Sequence, residues 1–154
     1  MGTYYLDASA VAKRYLPEPG SRWIEALMQR TDELRFVSVE LVALEVVCAI
    51  TRAFRERRIS STRRDQAIAR LALDAQTAWS LWAVTDLLLR RASRLAIRHP
   101  LRAYDAIHLA SALAWADDLR EADLPAPFFV SADTTLLAVA RAEGLTIENP
   151  NEHL

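Results

Sequence analysis

The chain has 154 residues, 52% of them hydrophobic and 25% charged, with a formal net charge of −1. That length suits one domain able to bury about 68–70% of its unfolded surface, and the composition excludes a disordered tail of any size. Near-neutrality excludes a global electrostatic pull toward nucleic acid, so any such contact must rest on a local patch.

Residues 3–6 (TYYL) read as a short buried strand, and 9–16 as a helix stopped by Pro17. Ser21 is placed to cap a helix reaching about residue 29, with Trp23, Ile24 and Leu27 on one face. A second strand covers 34–37, and Ser38 is expected to cap a long helix running to about Arg57. Ser61 opens another long helix in which Ile68, Leu71 and Ala75 recur at helical spacing. A short strand is expected around 82–84, then a helix capped by Thr85 and bearing Leu88, Leu89, Ala92, Leu95 and Ala96. Pro100 breaks the chain before a helix from about 103 to 118. The LPAP loop precedes a strand at 128–131, a helix at 134–143 stops at Gly144, and 146–148 make a last edge strand. Strands separated by helices imply parallel pairing with helices on both faces. The expected fold is one domain over 1–154, a three-layer α/β/α sandwich with a central, mostly parallel sheet.

Four acids interrupt the apolar pattern. Asp7 ends the run TYYL, Glu45 splits LVALEVVCAI, Asp105 stands in RAYDAIHLASAL, and Asp133 follows FFVS by one residue. Ionised carboxylates are rarely buried unless paired or bound to metal, and only Arg102 is a close basic neighbour in sequence. Each acid also has a purely structural use. Asp7 and Asp133 can cap the helices that follow them, Asp105 can answer a helix macrodipole, and Glu45 can be a stray exposed residue. Taken together, acids at the carboxyl edge of a parallel sheet enter the crevice where such sheets bind ligands. An all-oxygen cluster repels itself unless a cation neutralises it, and it suits Mg²⁺, or Mn²⁺ as a substitute, better than zinc.

The segments YLDASAVAKRYL, ELVALEVVCAI, YDAIHLASAL and FVSADTTLLAVARAEGL resemble, in order and spacing, the successive motifs of a PIN domain. The nearest group is the VapC-type ribonuclease toxins of bacterial toxin–antitoxin pairs. The resemblance implies Asp7, Glu45, Asp105 and Asp133 as catalytic metal-binding acids and Ser9 as a polar neighbour. It also implies a Mg²⁺-dependent endoribonuclease cleaving single-stranded RNA, a homodimer, and a small VapB-like antitoxin. A Thr pair follows Asp133 where charged residues are frequent in that family. In the expected mechanism one or two Mg²⁺ ions hold the scissile phosphate and lower the pKa of a water that attacks phosphorus in line. Two other classes stay open. A haloacid-dehalogenase-type phosphatase also places an acid after its first strand, although it resembles D-x-D where this chain reads Asp7-Ala8-Ser9, and it leaves Glu45 unexplained. The other is a non-catalytic RNA-binding PIN module.

The remaining signals are weaker in kind. His108 lies one turn after Asp105 and reads as a helix-packing or solvent-facing residue, without an acid or base partner. Arginines 52, 55, 57, 58, 63 and 64, and a second set at 90, 91, 94, 98 and 102, suit either an RNA backbone or solvated helix faces. Tyr15, Trp23, Trp79, Trp82 and Trp115 can stack bases, but their helical spacing among apolar residues points to packing or a dimer face. Cys48 is the only cysteine and is expected to be a core thiol. The longest apolar stretch is too short to span a bilayer, and no charged-then-apolar leader opens the chain, which suggests the cytoplasm.

Overall fold

The computed structural model describes residues 1–153. Five strands form one sheet: β1 (Gly2–Leu6), β2 (Leu34–Val39), β3 (Ser80–Trp82), β4 (Phe128–Val130) and β5 (Thr146–Glu148). Their order is β3-β2-β1-β4-β5, and all four pairings are parallel. The chain moves outward from β1 to β2 and β3, then crosses back to place β4 on the other side of β1. Strand order therefore reverses at the carboxyl ends of β1 and β4.

Period-two alternation sorts the core into two layers. Leu6, Phe36 and Val130 face one side, packed on α1 (Ala8–Ala12), α2 (Ser21–Met28), α3 (Val42–Arg55) and α4 (Ser61–Thr77). Their neighbours Tyr5, Val37 and Phe129 face the other, packed on α5 (Asp86–Arg98), α6 (Ala103–Glu121) and α7 (Thr134–Ala142). Buried on both faces, the strands lack the polar alternation of a half-solvated sheet. Aromatic rings continue across the β1–β4 ladder: Tyr4 stacks on Phe128 at 5.0 Å and Tyr5 on Phe129 at 5.7 Å. No helix among the described residues is long and apolar enough to cross a membrane.

Several boundaries differ from the sequence reading. Ser38 caps no helix; it lies in β2, and its hydroxyl donates to the Leu6 carbonyl at 2.7 Å. Pairing with β3 keeps the chain extended: the Glu40 amide donates to the Trp82 carbonyl and the Val84 amide to the Glu40 carboxylate. Hence α3 starts only at Val42, and Glu45 lies in its first turn rather than its interior. Ser21 does not cap α2; Gly20 does, at φ 82°, while the Ser21 hydroxyl bridges the Leu16 carbonyl and the Glu18 amide. The first helix ends at Ala12, after which the Lys13 and Arg14 amides bond three residues back and tighten the chain into a turn. Strand β3 sits two residues earlier than expected.

Candidate active site

Two short segments interlock where strand order reverses. Asp7-Ala8-Ser9 follows β1 and Ser131-Ala132-Asp133 follows β4, one the reverse of the other. The Ser9 hydroxyl donates to Asp7 Oδ1 at 2.7 Å, and the Ser131 hydroxyl to Asp7 Oδ2 at 2.6 Å. In return the Ala132 amide donates to Ser9 Oγ at 2.9 Å, and the Asp133 amide to Ser131 Oγ at 3.1 Å. The Ala10 amide adds a third donor to Asp7, which is thus also the N-cap of α1. Asp133 likewise caps α7 through the amides of Thr135 and Leu136. Capping and a place at the site are not alternatives here: one carboxylate oxygen holds the helix while the side chain still borders the crevice.

Glu45, Asp105 and Asp133 line a crevice of about 600 Å³ above this knot. Asp7 lies beneath it, 4% exposed, with its neighbours Ala8 and Ser9 in the wall. Burial raises the Asp7 carboxyl above its ordinary range, and the nearby His108 ring and the three donors only partly offset that. Asp105 is raised as well, first by burial and then by the charges of Asp133 and Asp7, against a weaker pull from His108 and Arg102. No group among the described residues donates a hydrogen bond to Asp105.

Glu45 does have a partner. His108, 2% exposed on α6, places Nε2 at 2.7 Å from Glu45 Oε1 and Nδ1 at 3.0 Å from the Tyr5 hydroxyl. The histidine is therefore neither solvent-facing nor without an acid partner. Lys13 and Arg52 also line the crevice alongside Arg102, so more basic groups border it than the sequence order of the acids suggested. Lys13 is 4% exposed and paired with Glu18 at 3.4 Å. Cys48 is exposed on the same wall, not a core thiol, because α3 turns that face outward.

Among the described residues, no three His, Cys, Asp or Glu side chains are gathered tightly enough to grip an ion as they stand. Glu45 is drawn to His108, and Asp133 Oδ1 is occupied by its cap. The donor chemistry nevertheless fits a hard divalent cation: the acids bordering the crevice offer only oxygen, and two resist ionisation, Asp7 through burial and Asp105 through burial and then the charges of Asp133 and Asp7.

Ser131 and the Glu45–His108 pair escaped the sequence reading. The reversed repeat D-A-S and S-A-D at two strand ends was a usable signal for Ser131. The stacking residues are structural. Tyr15 is buried against Asp74, Trp82 meets Trp115 edge-on, and Trp23 stacks on His153 at 4.2 Å. Within the two arginine sets, Arg58, Arg64, Arg91 and Arg98 pair with nearby acids, and only Arg52 and Arg102 line the crevice.

Residues 4–141 match the PIN domain family model. The chain belongs to the PIN domain family. Ribonucleases VapC45 and VapC49 of Mycobacterium tuberculosis are each 34% identical to it over 124 residues, covering 76% of this chain and 79% of the relative. The fold agrees with that of FitAcB from Neisseria gonorrhoeae (TM-score 0.61, 12% identity, 98% and 99% of the two chains). It agrees equally with that of VapBC2 from Rickettsia felis bound to a DNA fragment from its promoter (TM-score 0.64, 12% identity, 96% and 98%). The Asp7 knot lies at the reversal of strand order, the edge at which open parallel sheets bind ligands.

Proposed function

We propose that this PIN domain protein is a Mg²⁺-dependent endoribonuclease acting in the cytoplasm as the toxin of a toxin–antitoxin pair, with Mn²⁺ as an alternative ion. The observation that carries the reading is the pair of carboxylates Asp105, in the crevice wall, and Asp7, buried directly beneath it, neither facing a basic partner at hydrogen-bond distance. Such acids call for a cation. The ribonuclease relatives at 34% identity give the cation's task.

Asp7, Asp105, Asp133 and Glu45 are the residues that hold the ion. When bound, it supplies positive charge to a phosphodiester and lowers the pKa of water. The protein's part is placement. Ser9 and Ser131 fix both oxygens of Asp7, and two backbone amides fix the serines in turn. Asp105 and Asp133 come from the first turn and the cap of their helices, so amide dipoles support their negative charge. Arg52 and Arg102 at the walls offer charge to an RNA backbone.

The partner surface follows from the same crevice. Leu41, exposed Leu44 and exposed Tyr104 form an apolar border beside the acids, on which a segment of a small antitoxin can rest. An arginine from that partner can occupy the acid cluster by bidentate hydrogen bonds. A homodimer completes the proposal.

The deciding experiment incubates the purified protein with single-stranded RNA and with a generic phosphomonoester, with Mg²⁺, with Mn²⁺ and with chelator. RNA fragments that require the metal and vanish in Asp105→Asn support the nuclease. Phosphomonoester turnover without RNA cleavage points to a phosphatase, and RNA binding without cleavage to a non-catalytic module. Either outcome overturns the proposal.

A further inference from the structure

His108 links the two helical layers directly at the acid crevice. It rises from α6 beneath the sheet, while Glu45 descends from α3 on the opposite side, 63 residues away in sequence. Its ring is 2% exposed and wedged edge-on to Tyr5, 5.9 Å between centroids at 81°. Both ring nitrogens are engaged, at 3.0 Å to the Tyr5 hydroxyl and 2.7 Å to Glu45 Oε1. Glu45 is itself only partly buried, on a helix whose first turn has no side-chain cap. Without His108, nothing among the described residues would hold its flexible side chain against the crevice wall.

We infer that His108 is a positioning residue for Glu45, with its tautomer set by Tyr5. The Tyr5 hydroxyl, wholly buried, needs an acceptor for its proton, and it reaches Nδ1 at 3.0 Å, with the Ser38 and Ser111 hydroxyls near its oxygen. Nδ1 is therefore the acceptor, and the proton of the ring sits on Nε2, where it donates to Glu45 Oε1. Oε2 has no hydrogen-bond donor among the described residues, on a side chain that lines the crevice. The chain of contacts Tyr5 → His108 → Glu45 thus orients an acid side chain the way a second layer of hydrogen bonds orients metal ligands elsewhere. The inference rests on the reading of Glu45 as an ion-holding residue, and the test separates the two.

Mn²⁺ affinity is measured by calorimetric titration, without RNA, for wild type, His108→Leu, His108→Gln and Glu45→Gln. The expected result is a loss of about 10–100-fold in His108→Leu, with most of it restored in His108→Gln, whose amide nitrogen can occupy the Nε2 position and donate. Wild-type affinity in His108→Leu, or equal losses in His108→Leu and His108→Gln, overturns the inference while leaving the acid site standing. Wild-type affinity in Glu45→Gln removes Glu45 from the site and the inference with it. Because leucine can disturb a buried site, ring-nitrogen NMR of the wild-type protein gives an independent decision. A proton on Nε2 and none on Nδ1 is expected, with mixed tautomers in Tyr5→Phe, and a protonated Nδ1 in wild type refutes the assignment.

Discussion

Asp74→Ala should unfold this protein far more easily without altering its crevice. Asp74, on α4 and 8% exposed, accepts from Arg14 Nε at 2.7 Å and from the Tyr15 hydroxyl at 2.6 Å. Both donors lie in the turn just after α1, so this acid clamps that turn to α4. In the variant, Arg14, whose side chain is 11% exposed, keeps its charge with no counter-ion, and Tyr15 loses its acceptor. Removing one member of a buried pair costs about 3–5 kcal/mol. A central value of about 4 kcal/mol lowers the melting temperature by roughly 8–16 °C for a chain of this size. Replacing the cluster wholesale, as Arg14→Met, Tyr15→Phe and Asp74→Leu together, should recover most of that loss, because no charge or hydroxyl is then stranded. The pH dependence has a definite sign. Burial alone would raise Asp74, but the hydrogen bonds from Arg14 and Tyr15 and the charges of Arg14 and Arg70 outweigh it and hold it below the usual carboxylate range. Its stabilisation is therefore complete above the unfolded value near pH 3.9 and lost as pH falls through the depressed folded value. Urea unfolding from pH 7 to pH 3 should show wild type and Asp74→Ala converging at the acid end. Comparing the two cancels the opposite contribution of Asp7 and Asp105, whose raised values favour the folded state as pH falls. A variant that melts within about 2 °C of wild type at pH 7 refutes the reasoning and marks the pair as a solvent-screened surface contact.

Asp7→Asn and Asp105→Asn should each abolish metal-dependent RNA cleavage while retaining wild-type circular dichroism; near-normal cleavage by either at low Mg²⁺ removes it from the site. Saturating Mg²⁺ or Mn²⁺ at 100 times its dissociation constant should stabilise the folded protein by about 2.7 kcal/mol, read as a higher melting temperature that chelator reverses. Glu45→Gln should melt close to wild type without metal, since its amide oxygen can still accept from His108 at the position of Oε1; a large drop would show that the charge itself holds the two layers together. Gly20 and Gly144 both have positive φ, 82° and 93°, but an added Cβ at Gly20 collides with the Pro150 carbonyl oxygen, whereas at Gly144 it meets nothing within 4 Å. Gly144→Ala should cost only the left-handed strain of about 1–2 kcal/mol, and Gly20→Ala distinctly more, as thermal unfolding of the two will show.

Much of this protein was determined by local pattern. Alternating strands and helices with short connections are enough to specify a layered parallel sheet, because periods of 2 and 3.6 residues are written in neighbouring positions. The four acids were legible for the same reason: each stands inside or beside an apolar run where solvation gives it no excuse. Tertiary structure decided what those acids touch. Whether Ser38 caps a helix or extends a strand depended on β3 lying beside β2, and that pairing moved Glu45 into the first turn of α3. Its bond to His108 spans 63 residues, and the bond from Ser131 to Asp7 spans 124. Cys48 sits in an apolar stretch, yet is exposed because only one face of α3 meets the core. A hydrogen bond between distant residues depends on which strands become neighbours, and that choice is made by burial of the whole chain rather than by any one segment.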